Sequence, residues 1–241
     1  MTFPLALPEG LSYTQGTTGL IGWQLGDNLS LMKTPLAPSR LAVSDPEQLA
    51  SQVINDPRRL QDLIDGLASE KASARYGCAK ALRLVSEQRP ELLYPHFNFF
   101  AGLLDHPNQV FQWDAARLLA CLAAVDNEDR FAAMFERYFA PIRGPVMITA
   151  ANVIQGGAVI ARAKPPLADR IAAQILGVSR ARYATPECRN VAIGHALVAL
   201  GEIFGLLSDP APAVRFARRQ LKNSRPATRR KAESFLRGVQ H

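Results

Sequence analysis

The chain has 241 residues, of which 48% are hydrophobic and 20% are charged, which are ordinary proportions for a globular protein. This apolar fraction excludes disorder throughout the chain, and three cysteines are too few for a disulfide scaffold. The 28 basic and 21 acidic residues give a formal charge of +7, so the position of the excess basic residues is the first clue to function.

Residues 1–45 differ in composition from the rest of the chain. They contain five Gly, four Pro and only five charged residues, which predicts an irregular N-terminal arm. The glycine-rich run at 19–26 superficially resembles a phosphate-binding loop. It lacks the Lys-Ser/Thr pair of a P-loop and the strand-to-helix setting of a dinucleotide-binding motif. Trp23, within that run, is a candidate for docking onto the body or onto a partner.

Two further features bear on cellular location. Residues 1–10 have no basic region and are interrupted by two prolines, so they do not have the pattern of a secretory signal. The long uncharged stretch at 144–161 contains polar residues and glycines, which indicates a buried helix rather than a membrane span. With an odd number of widely spaced cysteines, these features predict a cytoplasmic protein that does not enter a membrane.

From residue 46 onward the pattern is one helix after another. Asp45-Pro46-Glu47 combines an N-cap, a proline in the first turn and an acid near the positive end of the helix dipole, and Asp56-Pro57 repeats the signal. Apolar spacing of three and four residues then predicts five helix pairs. The predicted pairs are 60–67 with 73–86, 95–104 with 109–124, 128–139 with 144–163, 167–177 with 186–204, and 211–222 with 226–238.

A small residue recurs in the second helix of every pair, at intervals of 35 to 41 residues. These residues are Ala79, Ala116, Ala151, Ala192 and Ala232. Small side chains at equivalent positions allow neighbouring helices to approach closely, which predicts stacked repeats.

Two turns resemble those of HEAT repeats: Leu-Leu-Asp-His-Pro-Asn-Gln-Val at 103–110 and Leu-Leu-Ser-Asp-Pro-Ala-Pro-Ala-Val-Arg at 206–215. Ser-Ala-Arg at 73–75, followed by Ala79 and Leu82, is similar to the second helix of that family. The resemblance covers residues 46–241 and implies an all-α fold, an α-α superhelix (solenoid) of about five HEAT-like helix pairs. Most members of the family are binding scaffolds with varied partners, and a few act on DNA.

Residues capable of chemistry are scattered along the chain. The cysteines are 43 and 67 residues apart, and none of the four histidines has a paired ligand at metal-binding spacing. His195 lies among Ile193, Ala196 and Leu197, a setting typical of a hydrogen-bonded core residue. We therefore expect no catalytic residue, no cofactor and no metal, and a protein that is not an enzyme.

One flank of the second helices is the predicted protein-binding ridge. Its members lie three residues before or one after the aligned alanines, and they are Tyr76, Lys80, Trp113, Arg117 and Asn152. Aromatic residues and arginines are enriched in interface anchors. The alternative is structural: Tyr76 and Trp113 wedge between repeats, and Asn152 and Asn190 bond to neighbouring backbone.

The positive charge is concentrated at the C-terminal end of the chain. Residues 215–240 hold nine basic residues and one acid, whereas residues 1–214 hold 19 basic and 20 acidic residues. The candidate polyanion patch consists of Arg218, Arg219, Lys222, Arg229, Arg230 and Lys231. For the chain as a whole, the repeat architecture and the lack of a catalytic site favour a protein partner of unknown identity. The alternatives for this end are nucleic-acid binding through the last helix pair, or a solvated polar cap.

Overall fold

The protein is described by a computed structural model over residues 45–239, and the regular elements in that range are all helical. The predicted arm, the run at 19–26 and Trp23 lie outside the described residues. Twelve α-helices follow one another between residues 45 and 239. They are α1 (Pro46–Asn55), α2 (Leu60–Gly66), α3 (Ala72–Gln88), α4 (Pro90–Leu93), α5 (Phe97–Gly102), α6 (Gln109–Leu122), α7 (Arg130–Phe139), α8 (Met147–Ala163), α9 (Ala168–Leu176), α10 (Pro186–Glu202), α11 (Ala211–Gln220) and α12 (Pro226–Gly238).

Side-chain caps explain where several of these helices begin. The carboxylate of Asp45 accepts a hydrogen bond from the backbone N–H of Glu47 at 3.3 Å, which confirms the predicted start of α1. Asn108 caps α6 through the N–H of Val110 at 3.0 Å, and Thr185 caps α10. Each of these bonds satisfies a donor that would otherwise lack a partner at the helix end.

The five predicted helix pairs are confirmed, and we call them units 1 to 5: α2/α3, α5/α6, α7/α8, α9/α10 and α11/α12. Several first helices are shorter than predicted and are flanked by 3₁₀ turns, such as Tyr94–His96 before α5. Proline accounts for several of these turns, such as Tyr94–His96 and Pro165–Leu167, because it lacks the N–H that an α-helical interior needs. Helix α1 packs against α3, as the second helix of a preceding unit would.

The second helices form one continuous layer, in which α3, α6, α8, α10 and α12 pack in that order. The five aligned alanines lie inside this layer and are at most 8% exposed, as the sequence predicted. Gly156 and Gly194 also lie within it: a Cβ on Gly156 would displace a neighbour, and a Cβ on Gly194 would lie 3.3 Å from the hydroxyl of Thr228. First helices contact one another less than second helices do, so the second-helix layer supplies most of the packing between units.

Candidate functional site

The outer side of the second-helix layer is the principal candidate surface, and we call it the second-helix face. Helix α8 shows the pattern most clearly, because its accessible residues recur every three or four positions and nearly all its other side chains are buried. The face consists of Lys80, Arg83, Glu87, Asp114, Arg117, Ile148, Asn152, Gln155, Val159, Arg162, His195, Val198 and Glu202.

The two aromatic residues of the predicted ridge form hydrogen bonds to other residues of the same chain. The indole N–H of Trp113 donates to the hydroxyl of Thr149 at 2.9 Å, which bonds unit 2 to unit 3. The hydroxyl of Tyr76 accepts from the side-chain amide of Asn108 at 2.9 Å, and its ring lies against Phe111. Both side chains are half-buried, and these contacts fit the wedge alternative.

The polar residues of the ridge keep more of their surface. Lys80 forms an ion pair with Glu47 at 2.8 Å, and the exposed Arg117 lies 3.8 Å from Glu87. Asn152 donates to the carbonyl of Ile148 in its own helix, whereas Asn190 bonds across repeats to Ser224. Arg117 and Asn152 are therefore the ridge residues best placed to meet a partner.

Charges on the second-helix face largely pair with one another. Arg83 lies 2.7 Å from Glu87 and 3.3 Å from Asp114, and Arg162 in α8 pairs with Glu202 in α10. Burial raises the pKa of Asp114, although the positive charges of Arg83 and Arg117 oppose that rise. A surface whose charges are already neutralised is poorly suited to a polyanion.

Exposed apolar side chains interrupt these pairs. Ile148 in α8 is 45% exposed and Val198 in α10 is 44% exposed, while Val159 is half-buried. Apolar residues set among paired charges and amides give the mixed surface that protein–protein interfaces use. Phe99, in the first helix of unit 2, is exposed to a similar extent, at 43%, and lies outside the second-helix face.

The described residues offer little for catalysis. Within 45–239, no group of three His, Cys, Asp or Glu side chains could hold a metal ion, and the three cysteines are free thiols. His195 is half-buried with its Nδ1 3.2 Å from the amide of Gln155, and burial lowers its pKa, with smaller contributions from Lys231 and Arg225.

No helix within residues 45–239 is long and apolar enough to cross a bilayer.

The candidate polyanion patch divides into internal and exposed members. Arg229 donates to the carbonyls of Asn223 and Ser224 at 2.8 and 3.2 Å, which ties down the loop before α12. Lys231 packs over Gly194, and burial, followed by the charge of Arg225, lowers its pKa. The exposed members are Arg218, Arg219, Lys222 and Arg230, and among the described residues none of them forms an ion pair.

Sequence reasoning missed a second basic region. Arg143, Arg180 and Arg182 come from the loops of units 3 and 4 and line one cleft of about 480 Å³. A signal existed, because residues 137–186 hold seven basic residues and one acid. Charge totals taken over residues 1–214 obscured it, since the acids of units 1 and 2 balance these arginines.

Comparisons with known proteins bear on the fold. No protein-family model matches the chain, and no curated protein matches it. A designed armadillo repeat protein is similar in structure, with a TM-score of 0.53 and 14% identity over 84% of this chain and 90% of that one. An engineered protein from a structural genomics consortium has a TM-score of 0.49 and 16% identity over 84% and 87%. The first of these supports what the helix order already indicates: the chain is a helical α-α repeat solenoid.

Proposed function

We propose that the protein is a non-catalytic, HEAT-like scaffold that binds a protein partner through the second-helix face. The observation that carries this proposal is the mixed character of that face, where exposed Ile148 and Val198 lie among self-paired charges and the amides of Asn152 and Gln155. Stacked repeats present such a surface over several units, which suits an extended partner. A protein partner also fits the near balance of charge in residues 45–176, which hold 14 basic and 15 acidic residues.

The first test removes apolar area from the second-helix face. The double substitution Ile148→Ala and Val198→Ala should lower capture of the protein partner from nuclease-treated lysate about tenfold or more, because buried apolar anchors carry most of the binding energy. Quantitative mass spectrometry of the captured proteins provides the measurement.

The matched control is Phe99→Ala with Leu206→Ala, which removes side chains of similar exposure, 43% and 37%, outside the second-helix face. The control should capture the partner as wild type does. Equal loss in both double variants, or loss in the control alone, would contradict the proposal.

A second candidate function is nucleic-acid binding through the exposed members of the polyanion patch. It is supported by the charge of residues 177–239, which hold 12 basic and four acidic residues. Phosphate contacts release counterions, so such binding weakens steeply with salt. It is compatible with the first proposal, because the patch and the second-helix face use different residues.

For this candidate, the four exposed cations of the patch should contribute about −3 to −4 to the slope of log K against log salt for a mixed-sequence duplex, since each phosphate contact contributes roughly −0.9. Replacing Arg218, Arg219, Lys222 and Arg230 with Gln should remove that contribution. Fluorescence anisotropy measures both quantities, and the absence of any binding by the wild type at low salt would overturn the candidate.

A further inference from the structure

A cleft between the loops of units 3 and 4 is lined by one arginine from the first loop and two from the second. The two loops span residues 140–146 and 177–185. The cleft has a volume of about 480 Å³ and is lined by Arg143, Ala173, Gln174, Gly177, Arg180 and Arg182. It lies outside the second-helix face and outside the candidate polyanion patch.

The backbone holds the two loops together rigidly. The N–H of Arg182 donates to the carbonyl of Arg143 at 3.0 Å, and the hydroxyl of Tyr183 donates to the carbonyl of Ile142 at 2.6 Å. Gly144 has a φ of 106°, and a Cβ there would lie 2.1 Å from the carbonyl oxygen of Arg182. Only glycine permits this approach, which fixes Arg143 beside Arg182.

The arginines of the cleft are not neutralised within the described residues. In residues 45–239, no carboxylate lies within 4.0 Å of the guanidinium of Arg143, Arg180 or Arg182. One carboxylate contacts a residue that lines the cleft: Glu136 accepts from Gln174 at 3.0 Å, but it is already paired with Arg170 at 2.8 Å.

Three like charges around one cleft repel one another, and a bound anion would relieve that repulsion. Arginine is also the side chain whose planar fork fits a phosphate through two parallel hydrogen bonds.

The loop of unit 5, residues 221–225, packs against the start of α10, which follows the loop of unit 4. Arg225 pairs with Glu187 at the start of α10 at 2.6 Å, and Asn190 bonds to Ser224 at 2.9 Å. The loops of units 3, 4 and 5 are therefore consecutive along one edge of the stack. Each of these three loops carries an exposed cation: Arg143, Arg182 or Lys222. Cations on consecutive loops fit a polymer of phosphates better than a single small anion.

We propose that this cleft binds a phosphodiester group of a nucleic-acid strand that continues along the loop of unit 5. The proposal rests on the second candidate function and adds to it a site that the C-terminal patch does not contain. Phosphodiesters of DNA and RNA share this chemistry, so a DNA duplex and an RNA duplex of the same mixed sequence are separate arms of the test.

The test compares charge removal inside and outside the cleft in the full-length chain. The double substitution Arg143→Gln and Arg182→Gln should reduce the salt slope by about 2, because each phosphate contact that is lost removes about one unit. The control is Arg59→Gln with Lys71→Gln, two exposed cations of unit 1 that, among the described residues, form no ion pair. The control should leave the slope unchanged in both arms, and Arg143→Lys with Arg182→Lys should keep most of it.

Each result separates this proposal from the one on which it rests. If the cleft variant binds as wild type does while the patch variant is weakened, the cleft proposal is overturned and the patch candidate stands. If the control weakens binding as much as the cleft variant, binding follows total charge and the cleft proposal fails. A phosphorylated peptide that binds more tightly than either duplex would also overturn it. Loss of binding in the cleft variant but not in the control, with an unchanged melting temperature, supports it.

Discussion

Replacing Asp126 with Asn should lower the free energy of unfolding by about 3 kcal/mol, because a buried carboxylate that accepts several hydrogen bonds is replaced by a neutral amide whose NH2 group cannot accept them. The carboxylate is fully buried between α6 and α7. It accepts from the hydroxyl of Tyr94 at 2.7 Å and from the N–H groups of Arg130 and Phe131 at 2.9 and 3.0 Å, and it lies 3.0 Å from the ammonium of Lys164. One side chain thus caps α7 and joins unit 2 to the end of α8. Urea denaturation measures the loss.

The pH dependence of stability provides a second readout. Burial acts to raise the pKa of Asp126, but hydrogen bonds from Tyr94, from the α7 backbone and from Lys164 outweigh it and hold the pKa below its ordinary value. The ionised carboxylate therefore stabilises the folded chain above pH about 4, and this contribution is lost as the pH falls through the folded-state pKa. The variant should lack that acid-side decline.

The matched control is Asp129→Asn. Asp129 also contacts Lys164 at 3.0 Å, but its side chain is 80% exposed, and exposed ion pairs contribute little. Asn tolerates the left-handed backbone at this position, where φ is 57°. The control should unfold as the wild type does. Similar losses in the two variants would show that the buried network around Asp126 does not hold units 2 and 3 together.

Replacing Gly156 with Ala should lower the free energy of unfolding by about 2–3 kcal/mol. The new Cβ would lie 2.0 Å from the hydroxyl of Tyr138, a fully buried side chain that donates to the carbonyl of Ala116 at 2.7 Å. Burial raises the pKa of Tyr138, so the hydroxyl remains a donor. Overpacking and the broken hydrogen bond each cost about 1–3 kcal/mol, which exceeds the gain of about 1 kcal/mol in helix propensity.

Two further variants test this explanation. Gly77 lies within α3, and a Cβ added there would meet no atom within 4 Å, so Gly77→Ala should stabilise the chain by about 0.5–1 kcal/mol. In a Tyr138→Phe background, Gly156→Ala should cost at least about 1 kcal/mol less, because the closest clash is gone. Equal effects at the two glycines, or no coupling between positions 138 and 156, would contradict the close packing of α8 against α7.

The sequence was sufficient to predict the repeat architecture, because each unit carries its own turn signals and apolar period. The alanines at one equivalent position were predicted to be buried and are buried. The role of Gly156 could not be predicted in the same way, because its neighbour Tyr138 belongs to a different helix and the distance between them depends on the crossing of α7 and α8. Local patterns specify helices, whereas packing between helices specifies which glycine is indispensable.

The candidate surfaces were harder to predict than the fold. Helical spacing placed Trp113 on an exposed flank, but its N–H reaches Thr149 in the next unit, a partner 36 residues away. The arginines of the cleft were missed for a related reason, since Arg143 and Arg182 are neighbours only because two loops bond across units. Contacts one repeat apart have no signature in a single stretch of sequence.

The most direct test of the protein-binding proposal is hydroxyl-radical footprinting of the chain in complex with the protein that co-purifies with it after nuclease treatment. Ile148 and Val198 should become protected, while Phe99 and Leu206, which are similarly exposed in the free chain, should react as before. Protection of Phe99 and Leu206 with Ile148 and Val198 unchanged would place the partner elsewhere and contradict the proposal.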